Sequence, residues 1–199
     1  SALNKLSKLF NSSNEIKRIE AYDNSHTFGK NSVGVMVVAD KEGLSPKHYR
    51  KFNIRYNLKD KKISSVDDYY MMEEVLSRRL SKLNENDNSL FPDVIIIDGG
   101  RGQYNKVYEI LKNYKLNKIK LLSISKGVKR IDGREIIHLK NKNINLKPND
   151  PLMNFIQRLR DEAHRFAITA HRTRRSKSSI QSIFDEIKGI GPKRKNELL

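Results

Sequence analysis

Apolar and polar positions change period several times along the chain, and each change marks an element. Leu3, Leu6, Leu9 and Phe10 share one face of a short amphipathic helix. The turn-rich Asn11-Ser12-Ser13-Asn14 leads into a predicted strand at 17–23. Ser32 to Asp40 alternates around Val33, Val35 and Val37, and a third strand at 48–56 carries Tyr49, Phe52, Ile54 and Tyr56. Short connections, including Glu42-Gly43, predict an antiparallel meander of these three. A helix follows over 67–83, with Tyr70, Met71, Val75, Leu76 and Leu80 at helical spacing.

The second half alternates differently. A strand at 93–98, a helix at 102–113 and a strand at 119–124 require parallel, right-handed crossovers. Lys126 to Leu139 predicts a hairpin around Asp132-Gly133. A longer helix over 151–173 aligns Leu152, Phe155, Ile156, Leu159, Ala163, Phe166 and Ala170. Ser176 to Ser182 reads as a linker before Gly189-Ile190-Gly191-Pro192 and the basic Lys193-Arg194-Lys195. The fold class is therefore α/β, with a small terminal appendage.

Within this frame Val94-Ile95-Ile96-Ile97 is a strand buried on both faces, ended by Asp98 and then Gly99-Gly100. A carboxylate at the C-terminal edge of such a strand lies where open α/β sheets bind ligands, and glycines leave room for close approach. Two readings stand for Asp98: a ligand-binding group, or a cap for the helix beginning near Arg101. Asp23, at the end of the first strand, either converges with Asp98 on a hard divalent cation or simply opens the turn at Asn24-Ser25. Without a cation, two such carboxylates would repel each other. His164 flanks the apolar stripe of the long helix and shares a face with Arg160 and His171. It is either a packing residue or an imidazole reaching the sheet's end. His26, His48, His138 and His171 have weaker claims. Asp67-Asp68 opens the 67–83 helix, as expected for acidic residues near a helix N-terminus.

Composition sharpens the choice of partner. The chain has 199 residues, enough to bury roughly 70% of its unfolded surface without staples. It contains no cysteine, which excludes disulfides and thiolate metal sites. No apolar run is long enough to span a bilayer and no signal-peptide pattern opens the chain, so a cytoplasmic protein with no membrane-spanning segment is expected. Forty Lys and Arg against 23 Asp and Glu give a formal charge of +17. A polyanion partner follows, nucleic acid first and an anionic membrane surface second. Lysine-rich drift alone would not cluster arginines. Yet Arg158, Arg160, Arg165, Arg172, Arg174 and Arg175 fall within one short stretch, against only Asp161 and Glu162. Gly189 and Gly191 let backbone N–H groups face a phosphate, with Lys193 and Arg194 adding charge; a plain helix-helix turn is the bland alternative.

Five segments are not generic: Asp23-Asn24-Ser25-His26-Thr27-x-Gly29, Tyr49 to Ile54, Asp67-Asp68-Tyr69, Pro92 to Gln103, and Arg158 to Ile168. In this order they closely resemble the C-terminal half of the UvrABC system protein C family, incision nucleases of bacterial nucleotide excision repair. The resemblance covers about residues 17–199. It implies a ribonuclease-H-like endonuclease domain over 1–175, with a mixed five-stranded sheet and a lead-in at 1–16. It also implies the start of a helix-hairpin-helix DNA-binding unit over 176–199. By the same resemblance Asp23, Asp98 and His164 form the catalytic, metal-binding triad, working with Mg²⁺ or Mn²⁺ on the 5′ side of a lesion. Asp67 or Asp68 supplies a further acid. Ordinary ribonuclease H enzymes use four carboxylates and no such histidine, which puts a full two-metal arrangement in doubt. The family's GIY-YIG nuclease and its UvrB-binding segment lie outside this chain, so a monomeric piece of a longer protein acting on damaged duplex DNA is expected.

Two other readings compete. An endonuclease-V-like enzyme would share fold and chemistry but recognise deaminated bases itself. A non-catalytic DNA-binding module would leave the triad as caps and core residues. The charge pattern makes one prediction common to all three. Affinity for a random duplex should fall by roughly a hundredfold or more between about 50 and about 200 mM salt, measured by fluorescence anisotropy. A flat salt response would remove the cationic surface from DNA binding.

Overall fold

The computed structural model describes residues 2–25, 32–54, 65–83, 91–126 and 135–186, with backbone alone at 25, 65–67, 171 and 174–186. Eight strands among these residues form one mixed sheet: β1 (Ile19–Ser25), β2 (Val33–Asp40), β3 (Gly43–Leu44), β4 (Arg50–Asn53), β5 (Val94–Asp98), β6 (Lys120–Lys126), β7 (Glu135–His138) and β8 (Asn143–Asn145). Their order is β3-β2-β1-β5-β6-β7-β8, with β4 also pairing β2. The helices are α1 (Ala2–Leu9), α2 (Ser65–Leu80), α3 (Arg101–Asn113) and α4 (Pro151–Glu186). The α/β class holds, but the sheet has eight strands rather than five. β3 and β8 are too short to carry a hydropathy period and exist because a neighbouring edge offers pairing groups. The turn expected at Asp132-Gly133 lies outside the described residues, though β6 and β7 pair antiparallel on either side of it.

The centre of the sheet is the parallel pair β1 and β5, joined in register from Ile19 with Val94 to Tyr22 with Ile97. Asp93 clamps the base of this pair. Its carboxylate accepts from the backbone N–H groups of Lys17 at 2.7 Å and Arg18 at 2.8 Å, and its own N–H donates to the Arg18 carbonyl at 2.8 Å. β2 runs antiparallel to β1, completing the meander with β4.

Side-chain alternation sorts the two faces. Ile19, Ala21 and Asp23 point one way and Glu20 and Tyr22 the other. α4 covers the first face, where Ala167 and Ala170 pack on Val33 and Val35 of β2. Its buried stripe is Leu152, Met153, Ile156, Leu159, Ala163, Ala167 and Ala170, with Phe155 and Phe166 half-buried at its margin. α2 and α3 cover the other face through Met71, Met72, Val75, Leu76, Leu80, Tyr104, Val107, Ile110 and Leu111. Gly34 marks the closeness of α2, since a Cβ there would collide with Val75.

α4 corrects one expectation. It runs unbroken to Glu186, through the 176–182 segment that reads as a linker. No Gly or Pro interrupts Leu152 to Glu186, and serines lower helix propensity without breaking the ladder. Residues 187–199, including the expected hairpin turn, lie outside the described residues.

The α2 face contains a buried ionic cluster. The Glu20 carboxylate accepts from Tyr22 Oη at 2.7 Å, Arg18 Nε at 2.9 Å and Arg79 Nη2 at 2.6 Å. Burial first, then the Glu20 charge, pushes the Tyr22 hydroxyl well above its ordinary pKa, so it stays a donor. Removing one partner of a buried ion pair leaves an uncompensated charge. Arg79→Ala is therefore expected to destabilise the fold by about 3 kcal/mol in urea denaturation. A loss below about 1 kcal/mol, the range of exposed pairs, would contradict the assignment.

Candidate active site

One rung beyond Tyr22 and Ile97, the β1–β5 register brings Asp23 beside Asp98 at the C-terminal end of the parallel strands. Both lie on the α4 face, by alternation with Ala21 and Ile96. Gly99 and Gly100 turn the chain from β5 into α3. A Cβ on Gly99, whose φ is +158°, would press on the Gln103 side chain at 2.6 Å, so glycine is needed for this tight exit. Gly100 occupies the N-cap of α3 without a side-chain cap bond. Asp98 is therefore not the residue at the N-cap.

α4 crosses above this edge and presents His164, whose Nδ1 stands 3.2 Å from Asp23 Oδ2. The imidazole is 66% exposed, whereas the Asp23 side chain is only 13% exposed. This is an accessible histidine anchored by a sheltered carboxylate, not a packed core residue. Arg160, one turn earlier on the same helical face, points down to Glu135 at the start of β7. Its other nitrogen contacts Asp161 at 3.1 Å. Glu135 is buried, and its Oε2 has no hydrogen-bond partner among the described residues.

Asp98 feels all these groups. Its carboxyl is held above the ordinary value of 3.8 by desolvation first and then by the Asp23 charge. Arg160 pulls it back down, Glu135 pushes it up, and His164 lowers it. Although Asp98 is exposed at the strand end, protein crowds its carboxylate on the inner side. Two neighbouring carboxylates, one held above its ordinary pKa by burial and then by the other's charge, suit a hard divalent cation that takes one or two protein oxygens and completes its shell with water or phosphate. No group of three or more His, Asp and Glu side chains among the described residues could hold an ion alone. The donor set that fits is thus the carboxylate pair.

Glu135 joins this edge without being expected. The signal that marks it is period-two register: it shares a face with Ile137, so a carboxylate occupies a core-facing position. Asp68 lies in the first turn of α2, half-buried, and the Asp67 side chain lies outside the described residues. Arg158 and Arg172 are exposed on α4. Arg165 is exposed but pairs with Glu162 at 2.7 Å. The side chains of Arg174, Arg175 and His171, together with His26, Gly189, Gly191, Lys193 and Arg194, lie outside the described residues. His138 is held by Ser125 and Asn143, each at 2.8 Å, and His48 by Ser45 at 3.1 Å; both are structural.

A mixed sheet with central parallel strands, an antiparallel meander on one side and helices on both faces is of the ribonuclease-H-like class. The model of the UvrC RNAse H endonuclease domain matches residues 7–168, and this chain belongs to that family. It is 49% identical over 187 residues to UvrABC system protein C of Zymomonas mobilis, a match covering 92% of this chain and 28% of that protein. It is 46% identical over 199 residues to the protein of that name from Paramagnetospirillum magneticum, covering 98% and 31%. The chain thus spans about three-tenths of the length of these curated relatives. Among solved structures, human ENDOV aligns over 64% of this chain and 50% of its own, at 18% identity and a TM-score of 0.43. No helix among the described residues is long and apolar enough to cross a membrane.

The burial of Asp98, with the Asp23 charge beside it, yields a stability prediction with a definite sign. The folded state binds the Asp98 proton more tightly than the unfolded chain, so ionisation of Asp98 costs stability as pH rises above 3.8. Asp98→Asn should stabilise the cation-free protein at about pH 7 by at most about 1 kcal/mol, given solvent screening, with no gain at about pH 3. Urea midpoints of the two proteins at both pH values make the comparison. A variant less stable at neutral pH would contradict the stated electrostatics.

Proposed function

We propose that this chain is the catalytic part of a divalent-cation-dependent DNA endonuclease. It cuts on the 5′ side of a lesion in bacterial nucleotide excision repair, within the cytoplasmic UvrABC excinuclease and together with UvrB. The observation that carries this reading is the meeting of Asp23, Asp98 and His164, distant in sequence, at one sheet edge. Family membership supports the nuclease class and the repair role.

Asp23 and Asp98 are the residues that would hold Mg²⁺ or Mn²⁺. When bound, that ion supplies charge compensation at the scissile phosphate. His164 works through its other nitrogen. With Nδ1–H donating to Asp23, Nε2 is left as an acceptor facing solvent, which suits it to take the proton of the attacking water. Water adds to phosphorus, the water's proton passes to Nε2, the P–O bond to the leaving nucleotide breaks, and the leaving oxygen takes up a proton from solvent to become a hydroxyl. This favours proton acceptor over metal ligand for His164.

Arg158 and Arg172, exposed along α4, would run beside the duplex backbone, and Arg174 and Arg175 continue the same helix. The glycine turn at 189–191 with Lys193 and Arg194 would add phosphate contacts beyond α4. Contacts of this kind carry no base information, in keeping with an enzyme directed to damage by its partners.

The decisive assay is nicking of a damaged duplex already cut on its 3′ side, with UvrB present. Asp23→Asn and Asp98→Asn should abolish nicking while leaving duplex affinity unchanged, and His164→Ala should slow it by at least about a hundredfold. Near-normal cutting by Asp98→Asn would overturn the site.

A further inference from the structure

We infer that Arg160 is a built-in second cation of this active site: its guanidinium neutralises a third carboxylate, Glu135, so that the centre takes one divalent ion where two would otherwise assemble. The inference rests on the cation-dependent nuclease reading above and deepens it. Three carboxylates share the α4 face at this end of the sheet: Asp23 on β1, Asp98 on β5 and Glu135 on β7. A second hard cation beside the first adds two positive charges and takes oxygen ligands of its own, so a third carboxylate at this edge is what would receive it. Here the third is already occupied. Arg160 reaches down from α4 onto Glu135 Oε1.

Two features separate this from an ordinary surface pair. Both partners are sheltered, the Glu135 side chain 7% exposed and that of Arg160 19%. A carboxylate so placed cannot stay charged without a cation beside it. Glu135 Oε2, meanwhile, is buried with no hydrogen-bond partner among the described residues. Arg160 also stands one helical turn from His164, so the same helix face that seats the imidazole over Asp23 seats the guanidinium over Glu135. A planar guanidinium is a fixed, always-charged substitute for an ion. It commits the edge nearest β7 before any DNA arrives and confines exchangeable metal to the Asp23–Asp98 pair.

The test counts Mn²⁺ bound by the whole chain without DNA, from the electron paramagnetic resonance signal of the free ion, with circular dichroism as the check on folding. Wild type should bind one ion, Arg160→Gln two, and Arg160→Lys one, since lysine restores the charge. The double variant Arg160→Gln/Glu135→Gln should return to one, because no third carboxylate remains to be balanced. A merely structural role for the pair would leave the count at one throughout, and that result overturns the inference. A second ion on the wild type overturns it equally. If Arg160→Gln is unfolded alone, its melting temperature should climb with Mn²⁺ while that of the double variant follows the wild type. Failure of Mn²⁺ to restore it counts against the inference. No ion on the wild type, and no difference between wild type and Asp98→Asn, would instead remove the cation site itself and with it the nuclease reading.

Discussion

The parallel register of β1 and β5 is the constraint on which the rest depends. Asp93 holds the two strands at their base by accepting from the Lys17 and Arg18 amides, and the pairing then counts upward, residue for residue. Strands have a side-chain period of two, so a slip by one residue would send Asp98 to the α2 face and leave Asp23 alone beneath His164. The apolar run Val94 to Ile97 is buried on both faces and by itself would tolerate that slip, so the Asp93 clamp is what sets the register. A polar clamp at one end and a core in the middle thus deliver two charges to the other end.

The two faces of the sheet divide the ionic work. Below, Glu20 is bound by Arg18, Arg79 and Tyr22 in a closed cluster that ties α2 to β1. Above, Asp23 meets an exposed histidine, Glu135 meets Arg160, and Asp98 is held above its ordinary pKa by burial and then by the Asp23 charge. The first arrangement is saturated and serves stability. The second gathers three carboxylates at one accessible end of the sheet in a chain whose formal charge is +17.

α4 links these demands. Its apolar stripe fastens it across β1 and β2, and its neighbouring face carries Arg160 and His164 over the sheet's end. Helical geometry makes the two side chains move as one unit with the packed stripe. The same helix then carries Arg172 outward as an exposed cation. The packing of α4 and the positions of Arg160, His164 and Arg172 are thereby set by the placement of one element.

Much of this was legible in the residues themselves. Period-two and period-3.6 patterns locate the main strands and the starts of α2, α3 and α4 to within a few residues, because those periods follow from local backbone geometry, whereas α4 runs on to Glu186 beyond the expected end at 173. The carboxylate after Val94-Ile95-Ile96-Ile97 and the histidine on the long helix stand out by the same logic. What local pattern does not encode is partner choice between segments. β3 and β8 exist only as edges completed by neighbours, and the serine-rich stretch is helical in spite of its composition. Glu135 becomes part of the site only when β7 pairs with β6, and Arg160, which reads as one more surface cation, turns inward only because that carboxylate lies beneath it. Sequence determined which residues could do chemistry. The tertiary structure decided which of them meet, since charges many residues apart interact only after strand register and helix packing have brought them within reach.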